Sequence, residues 1–440
     1  MPIISKVILM KKSTVICLFL IFSIAITSQI SLSSNNNYDN TVSVLSTFNP
    51  ETFKGVMKIK TFASPDCAFD AVTEVLSSAT TSLFVEMYSF SNPYILDVIG
   101  NLSANGVNVH IILQKYHVSY FETQYTLWTA YQLYLRGAHV FWASNEEFQY
   151  THAKLAIIDN KTILIESENW AKSGIPKNPT YGNRGWGVII EHQDLAEYFV
   201  DVFLYDLSLA EPYDPSEDHG TSVSYYVSSG HYEPKFSIGV YEEYVKVTPI
   251  LSPDFSESLI IDLINSANVS LYIEQMYIYS SLTDIINAII DAKERGVDVR
   301  VILDPRSEES QETAEILVEH GIWVAYANTS YYDSPHIFET MHNKGMIIDS
   351  KIVLISSINW SPTSLRENRE VGVIIENEHI AQYYENIFNY DWQIAAEILQ
   401  GEAPSPPPQH PQISGGIIII IIIIGLIIAL IVAVIKKISK

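Results

Sequence analysis

Two stretches of this chain, 190 residues apart, spell one pattern, and that repeat limits the possible folds more than any other feature. The first runs Thr151-His-Ala-Lys-Leu-Ala-Ile-Ile-Asp159 and continues to Ser167-Glu-Asn-Trp170. The second runs Met341-His-Asn-Lys-Gly-Met-Ile-Ile-Asp349 and continues to Ser357-Ile-Asn-Trp360. Packing needs alone do not put the same polar residues in register inside two apolar runs. The surroundings repeat as well. Ser64-Pro65-Asp66 matches Ser252-Pro253-Asp254, the strand expected over 82–88 matches 270–277, and 106–113 matches 296–303. Strands that alternate with helices argue an α/β arrangement. An internal duplication, with the halves packed face to face about a pseudo-two-fold axis, is the economical account.

The β-branched run in each copy favours strands, where residues two apart share a face. His152 and Lys154 then point together, as do His342 and Lys344. A polar turn at Asp159-Asn160-Lys161 or Asp349-Ser350-Lys351 returns the chain. On the returning stretch Ser167 and Asn169 share a face, and Ser357 and Asn359 match them. An imidazole, an ammonium, a hydroxyl and a carboxamide suit an anionic phosphorus centre. Lys and Asn donate to phosphoryl oxygens, and His attacks or moves a proton near neutral pH. Two His provide a nucleophile and an acid/base for a two-step displacement. The two Lys already bring positive charge, so no metal and no cofactor is expected.

The stretches resemble the His-x-Lys-x4-Asp motif of the phospholipase D superfamily, as His152-Ala-Lys154…Asp159 and His342-Asn-Lys344…Asp349. Asn368-Arg-Glu370-Val-Gly372 also resembles that family, and the resemblance covers Phe53 to Ala396. It implies two tandem phospholipase D-like lobes, each a mixed β-sheet flanked by helices, and a phosphodiesterase working through a phosphohistidine. By resemblance His152 attacks, His342 protonates the leaving alcohol, and Lys154, Lys344, Asn169 and Asn359 hold the phosphoryl oxygens. Ser167 and Ser357 rank as substrate-binding, and Glu370 would hold the ring nitrogen of His342. Asp159 and Asp349 belong to the motif, although their turn positions suit local backbone bonding. The first half departs from the pattern. Asn183-Arg-Gly185 stands where Asn368-Arg-Glu370 stands in the second, so His152 either lacks its carboxylate or borrows Glu166, Glu168 or Glu86. Glu86 and Glu274, at matched strand positions, are expected to line the cleft or to form paired structural hydrogen bonds.

The remaining chain divides by composition. Residues 1–30, with Lys11-Lys12 before an apolar core, read as a signal peptide or an uncleaved anchor. A flexible leader at 31–52 precedes lobe 1 at 53–207, and a polar linker or lid at 208–240 precedes lobe 2 at 241–398. A Pro-rich spacer follows at 399–414. A transmembrane helix is expected at 415–435, built on 19 apolar residues from Ile417, and a Lys-bearing cytoplasmic tail at 436–440. The positive-inside rule then leaves both lobes outside. The formal net charge of −24 disfavours nucleic acid as partner. The expected substrate is a phospholipid or another phosphodiester, and a monomer suffices because one chain holds both motifs. An extracellular nuclease and a non-catalytic binding protein on the same fold are the alternatives.

Overall fold

The computed structural model describes residues 47–332 and 335–399. The expected signal peptide, the leader up to residue 46, the spacer from residue 400, the expected transmembrane helix and the tail lie outside the described residues. Among the described residues, no helix is long and apolar enough to cross a membrane.

The first half runs β1 (Phe53–Ser64), α1 (Ala68–Ser77), β2 (Ser82–Met87), α2 (Pro93–Ala104), β3 (Asn108–Leu113), α3 (Tyr120–Leu135), β4 (His139–Trp142), β5 (Lys154–Ile158), β6 (Thr162–Glu166), β7 (Gly185–Glu191) and α4 (Gln193–Leu209), before a short β8 (Glu211–Pro212). The second half repeats the order. It runs β9 (Gly239–Ser252), α5 (Ser256–Ser266), β10 (Ser270–Gln275), α6 (Thr283–Glu294), β11 (Asp298–Leu303), α7 (Glu308–Glu319), β12 (Trp323–Tyr326), β13 (Lys344–Ile348), β14 (Ile352–Ser356), α8 (Pro362–Arg366), β15 (Glu370–Glu376), α9 (Glu378–Gln393) and β16 (Glu397–Ile398).

In each half three strands run parallel, β2–β3–β4 and β10–β11–β12, because helices carry the chain back between them. The motif hairpin then joins antiparallel, β5 against β2 and β13 against β10. The hairpin turns carry φ near +53° at Asp159, Asn160, Asp349 and Ser350, the left-handed pair that a tight hairpin requires.

The edge strands β1 and β9 went unread in the sequence, and they change the architecture. They pair antiparallel over Phe53–Thr61 and Gly239–Val247, which merges the two sheets into one sheet of 16 strands. The halves also bury one common core. Ile157, Ile165, Phe199 and Phe203 of the first belong to the same cluster as Ile347, Ile355, Tyr384 and Phe388 of the second. Matched stacks, Phe84 on Phe203 and Tyr272 on Phe388, both at 5.0 Å, seat α4 and α9 on their sheets.

The segment at 208–240 laces the outside of the first half. Thr221 N donates to Gln124 O at 3.1 Å, Tyr225 Oη to Asp97 at 2.9 Å, and Tyr232 N to Thr180 O at 3.1 Å. Asp66 does not cap α1 as its sequence position suggests. That helix starts at Cys67 without a side-chain cap, and Asp66 instead accepts from Tyr232 Oη and Lys235 N at 2.7 Å each.

Candidate active site

Each motif histidine sits just ahead of its strand and is pinned by backbone from the opposite half. His152 N–H donates to Arg369 O at 2.8 Å, and Arg369 N–H donates to Tyr150 O at 3.0 Å. The mirror set is His342 N to Arg184 O at 2.9 Å and Arg184 N to Thr340 O at 2.9 Å. The same two arginines are buried latches. Arg369 meets Asp206 of α4 at 2.9 Å and Asp254 at 2.7 Å; Arg184 meets Asp391 of α9 and Asp66, both at 2.7 Å. A buried guanidinium is tolerated only with such partners, because an uncompensated buried charge is strongly destabilising. Burial disfavours the charged form of each, but the paired carboxylates outweigh it and hold both well above their ordinary range.

The two imidazoles are met by crossed carboxylates. His152 Nδ1 lies 2.8 Å from Glu370 Oε2, so the acid reaches the opposite half, not His342. That corrects the partner expected for Glu370. His342 Nδ1 lies 3.3 Å from Glu168 Oε2 of the first half. Gly185 explains the swap: a Cβ there would stand 2.4 Å from Glu168 Oε1 and 2.6 Å from its Cγ. The acid absent from position 185 is supplied from 168, where the second half has buried Ile358. Glu168 is braced by Asn183 Nδ2 at 3.0 Å, and Glu370 by Ser357 Oγ at 2.6 Å and by Ser364 Oγ.

Burial drives the electrostatics. It pushes His152 down to about 4, with Glu370 pulling the other way, and it lowers His342 alongside the Lys344 ammonium. Burial lowers Lys154 to about 8, and burial together with repulsion from Lys154 lowers Lys344 well below its ordinary range. His152 feels Lys344 of the other half, and His342 and Lys344 feel Lys154, which gathers the four groups into one site. Burial would raise Glu370, but His152, Lys154 and Ser357 outweigh it and keep the carboxyl below its usual range. Lys154 Nζ donates to His152 O at 2.7 Å, and Lys344 Nζ to His342 O. The Tyr88 ring packs 4.7 Å from His152 on one side and 4.7 Å from His117 on the other.

The other expected site residues divide. Ser357 touches the site through Glu370, whereas Ser167 Oγ accepts from Trp186 N at 3.0 Å. The carboxamide oxygens of Asn169 and Asn359 find no partner among the described residues. Asp159 and Asp349 stand a strand's length, about 17 Å, from their lysines. They tie the hairpin turns to neighbouring backbone, Asp159 to Thr80, Thr81 and Ser82, and Asp349 to Asn268, Val269 and Ser270. Their geometry is that of turn anchors, not of groups in the cleft. Glu86 and Glu274 do not line the cleft either. Both are fully buried; Glu86 accepts from Thr151 Oγ1, and burial raises both carboxyls, helped by Asp206 and Asp391 respectively. Glu166 accepts from Trp170 Nε1 at 2.7 Å. Among the described residues no group of three or more His, Cys, Asp or Glu is arranged to hold a metal ion.

Two lobes about one cleft, with paired imidazoles, ammonium groups and crossed carboxylates, define a phospholipase D-like enzyme. The chain belongs to the family described as cardiolipin synthase, PLD-like domain, which matches residues 72–207 and 260–392. It is 28% identical over 191 residues to a phospholipase D of Rickettsia bellii, covering 42% of this chain and 90% of that one. A phospholipase D of Rickettsia conorii is 33% identical over 121 residues, and the match spans 28% of this chain and 56% of that protein. A probable cardiolipin synthase of Bacillus subtilis is 25% identical over 256 residues, with 55% and 46% covered. Among solved structures, phosphatidylserine synthase of Haemophilus influenzae has the same fold, with a TM-score of 0.57 at 16% identity over 78% of this chain and 89% of that one. The protein is an enzyme of the phosphodiesterase and phosphatidyl-transferase class.

Proposed function

We propose that this enzyme hydrolyses or transfers phosphatidyl groups through a phosphohistidine, while tethered to a membrane with both lobes outside. The observation that carries the chemistry is the crossed carboxylate placement: Glu370 bonds Nδ1 of His152, Glu168 stands 3.3 Å from Nδ1 of His342 outside hydrogen-bond geometry, and Nε2 of each ring is left for the phosphate. The shorter contact, at 2.8 Å, supports His152 as nucleophile. In the first step His152 Nε2 bonds to phosphorus, the bond to the leaving alcohol breaks, and His342 gives that oxygen its proton. In the second, water or an acceptor alcohol loses a proton to His342 and attacks phosphorus, and the P–N bond breaks. Lys154 and Lys344 offset the phosphate charge, and Asn169 and Asn359 donate to its oxygens. The relatives that carry lipid-enzyme names, together with the net charge of −24, support a phospholipid over a nucleic acid. The apolar run from Ile417 and the lysines after it support the tether.

The full chain in proteoliposomes, offered phosphatidylcholine, cardiolipin, single-stranded DNA and an aryl phosphodiester, tests the reading. Wild type should release headgroup from a lipid and leave DNA intact. His152→Ala should fail on every substrate and form no phosphoenzyme. His342→Ala should fail on lipid yet recover much of the roughly 10²–10⁴-fold acid contribution on the activated aryl ester. Turnover of DNA alone, or turnover indifferent to both substitutions, would sink the proposal.

A further inference from the structure

The repeat offers an internal control. In the first half the loop between β3 and α3 spans 114–119; its counterpart between β11 and α7 spans 304–307 and is two residues shorter. Both loops begin with the same task. Gln114 Oε1 accepts from Thr151 N at 2.9 Å, and Asp304 Oδ2 accepts from Met341 N at 2.9 Å. Both end on a serine that caps the next helix, Ser119 and Ser307. Between those points they diverge. The second half carries Pro305-Arg306, with Arg306 folded back on Asp304 at 3.0 Å. The first carries Tyr116-His117-Val118, and α3 then opens with Tyr120-Phe121.

Those residues project. Val118 is 87% exposed, Tyr120 70%, Phe121 68% and Tyr116 61%. Single exposed apolar residues need no explanation, but four among six consecutive positions form a patch. No charged residue interrupts 116–121, and the neighbouring Lys115 is paired with Glu217 at 2.8 Å. The loop is rooted in the site, because His117 Nε2 lies 2.7 Å from Tyr88 O and Tyr88 packs against His152. Folding does not require this tip, since the second half is built without it.

We infer that the 116–121 tip is a bilayer-docking surface that seats the mouth of the cleft on the lipid face, an inference that rests on the phospholipid reading above. Tyr, Phe and Val at an uncharged tip have the chemistry of the headgroup boundary, where an apolar body sinks and a phenol stays wet. An acidic body gains nothing from anionic headgroups, so apolar contact must do the holding. The apolar run starting at Ile417 places a bilayer within range. The 17 residues at 400–416 reach about 55 Å when extended. A folded body of this size has a radius of gyration of about 20 Å, so the tether lets the tip turn to the membrane. A second copy of the chain is the weaker occupant, because a stable pair buries about 800 Å² per partner, more than a six-residue tip offers.

The test uses the full chain in proteoliposomes. With Cys17 and Cys67 replaced by Ser, a bimane label is placed on Val118→Cys or, as control, on the exposed Glu308→Cys. Brominated phosphatidylcholine should quench the label at 118 more than twofold and barely touch the one at 308. Equal quenching at both positions overturns the docking surface. So does a label at 118 that ignores lipid but reports proximity to other copies, which would assign the tip to self-association. In parallel, Val118→Asp with Phe121→Asp should lower turnover of long-chain phosphatidylcholine in the bilayer at least tenfold and leave a monomeric short-chain phosphatidylcholine within twofold. Loss on both substrates alike, or on neither, contradicts the inference. If wild type cleaves no phospholipid, the substrate reading fails, and the quenching result still decides the docking surface.

Discussion

The carboxylate beside His342 comes from Glu168, at a position where the other half carries Ile358. Its effect on catalysis has a sign. The nucleophile must be neutral, which holds above about 4 for His152. The acid must be protonated, and burial with the Lys344 ammonium holds His342 below its ordinary 6.5 while Glu168 pulls it up. The kcat/KM profile should therefore peak on the acid side of neutrality. Glu168→Gln removes that pull, so the alkaline limb should move to lower pH and the rate at neutral pH should drop roughly 10²-fold. Glu168→Ile with Gly185→Glu rebuilds the arrangement of the second half and should restore most of it. A limb that stays in place in Glu168→Gln would mean that Glu168 does not act on His342. The histidines and lysines were legible in the sequence because they recur in register. Their carboxylates were not, because each crosses to the other half and one depends on space that only Gly185 leaves. Glu168 was one of three candidates, but offered for the wrong histidine. Its one signal was an acid in the first motif opposite an apolar residue in the second.

Among the elements, α4 and α9 do more than cover the sheet. Each presents one aspartate, Asp206 or Asp391, to the arginine whose carbonyl pins the opposite histidine. Stability and active-site geometry therefore share a joint. Arg369→Ala strands Asp206 and Asp254 without their cation, and breaking such a buried pair costs about 3–5 kcal/mol. Urea unfolding of the full chain should register that loss, and turnover should fall with it. A loss below about 1 kcal/mol would show that the latch bears little load. The strand–helix order of both halves was readable from apolar periodicity and from matched Gly-Val runs. The strands β1 and β9 were not, for a physical reason. Their outer portions alternate exposed and half-buried residues, so nothing in the sequence marks the opening stretch of either lobe as a strand. Those outer portions are strands because they pair with each other, while the inner portions pair with β7 and β15.

At the scale of the whole molecule, the merged sheet and common core make the two halves one body, so an orientation assigned to one applies to both. Under the proposed tether, the lysines after Ile435 put the C-terminus inside by the positive-inside rule. Protease added to intact cells should then digest both lobes and spare an epitope fused after Lys440. Protection of the lobes would reverse the orientation. The crossed carboxylates carry one more consequence, for how such a chain tolerates change. Each half gives its acid away and receives one in return. Two copies of the first half would offer Glu168 to each other's His152, and two copies of the second would offer Glu370 to each other's His342. Either half, doubled, still holds a complete set of parts. What such a site asks for is an oxygen atom at one spot, and two different backbone positions here deliver it.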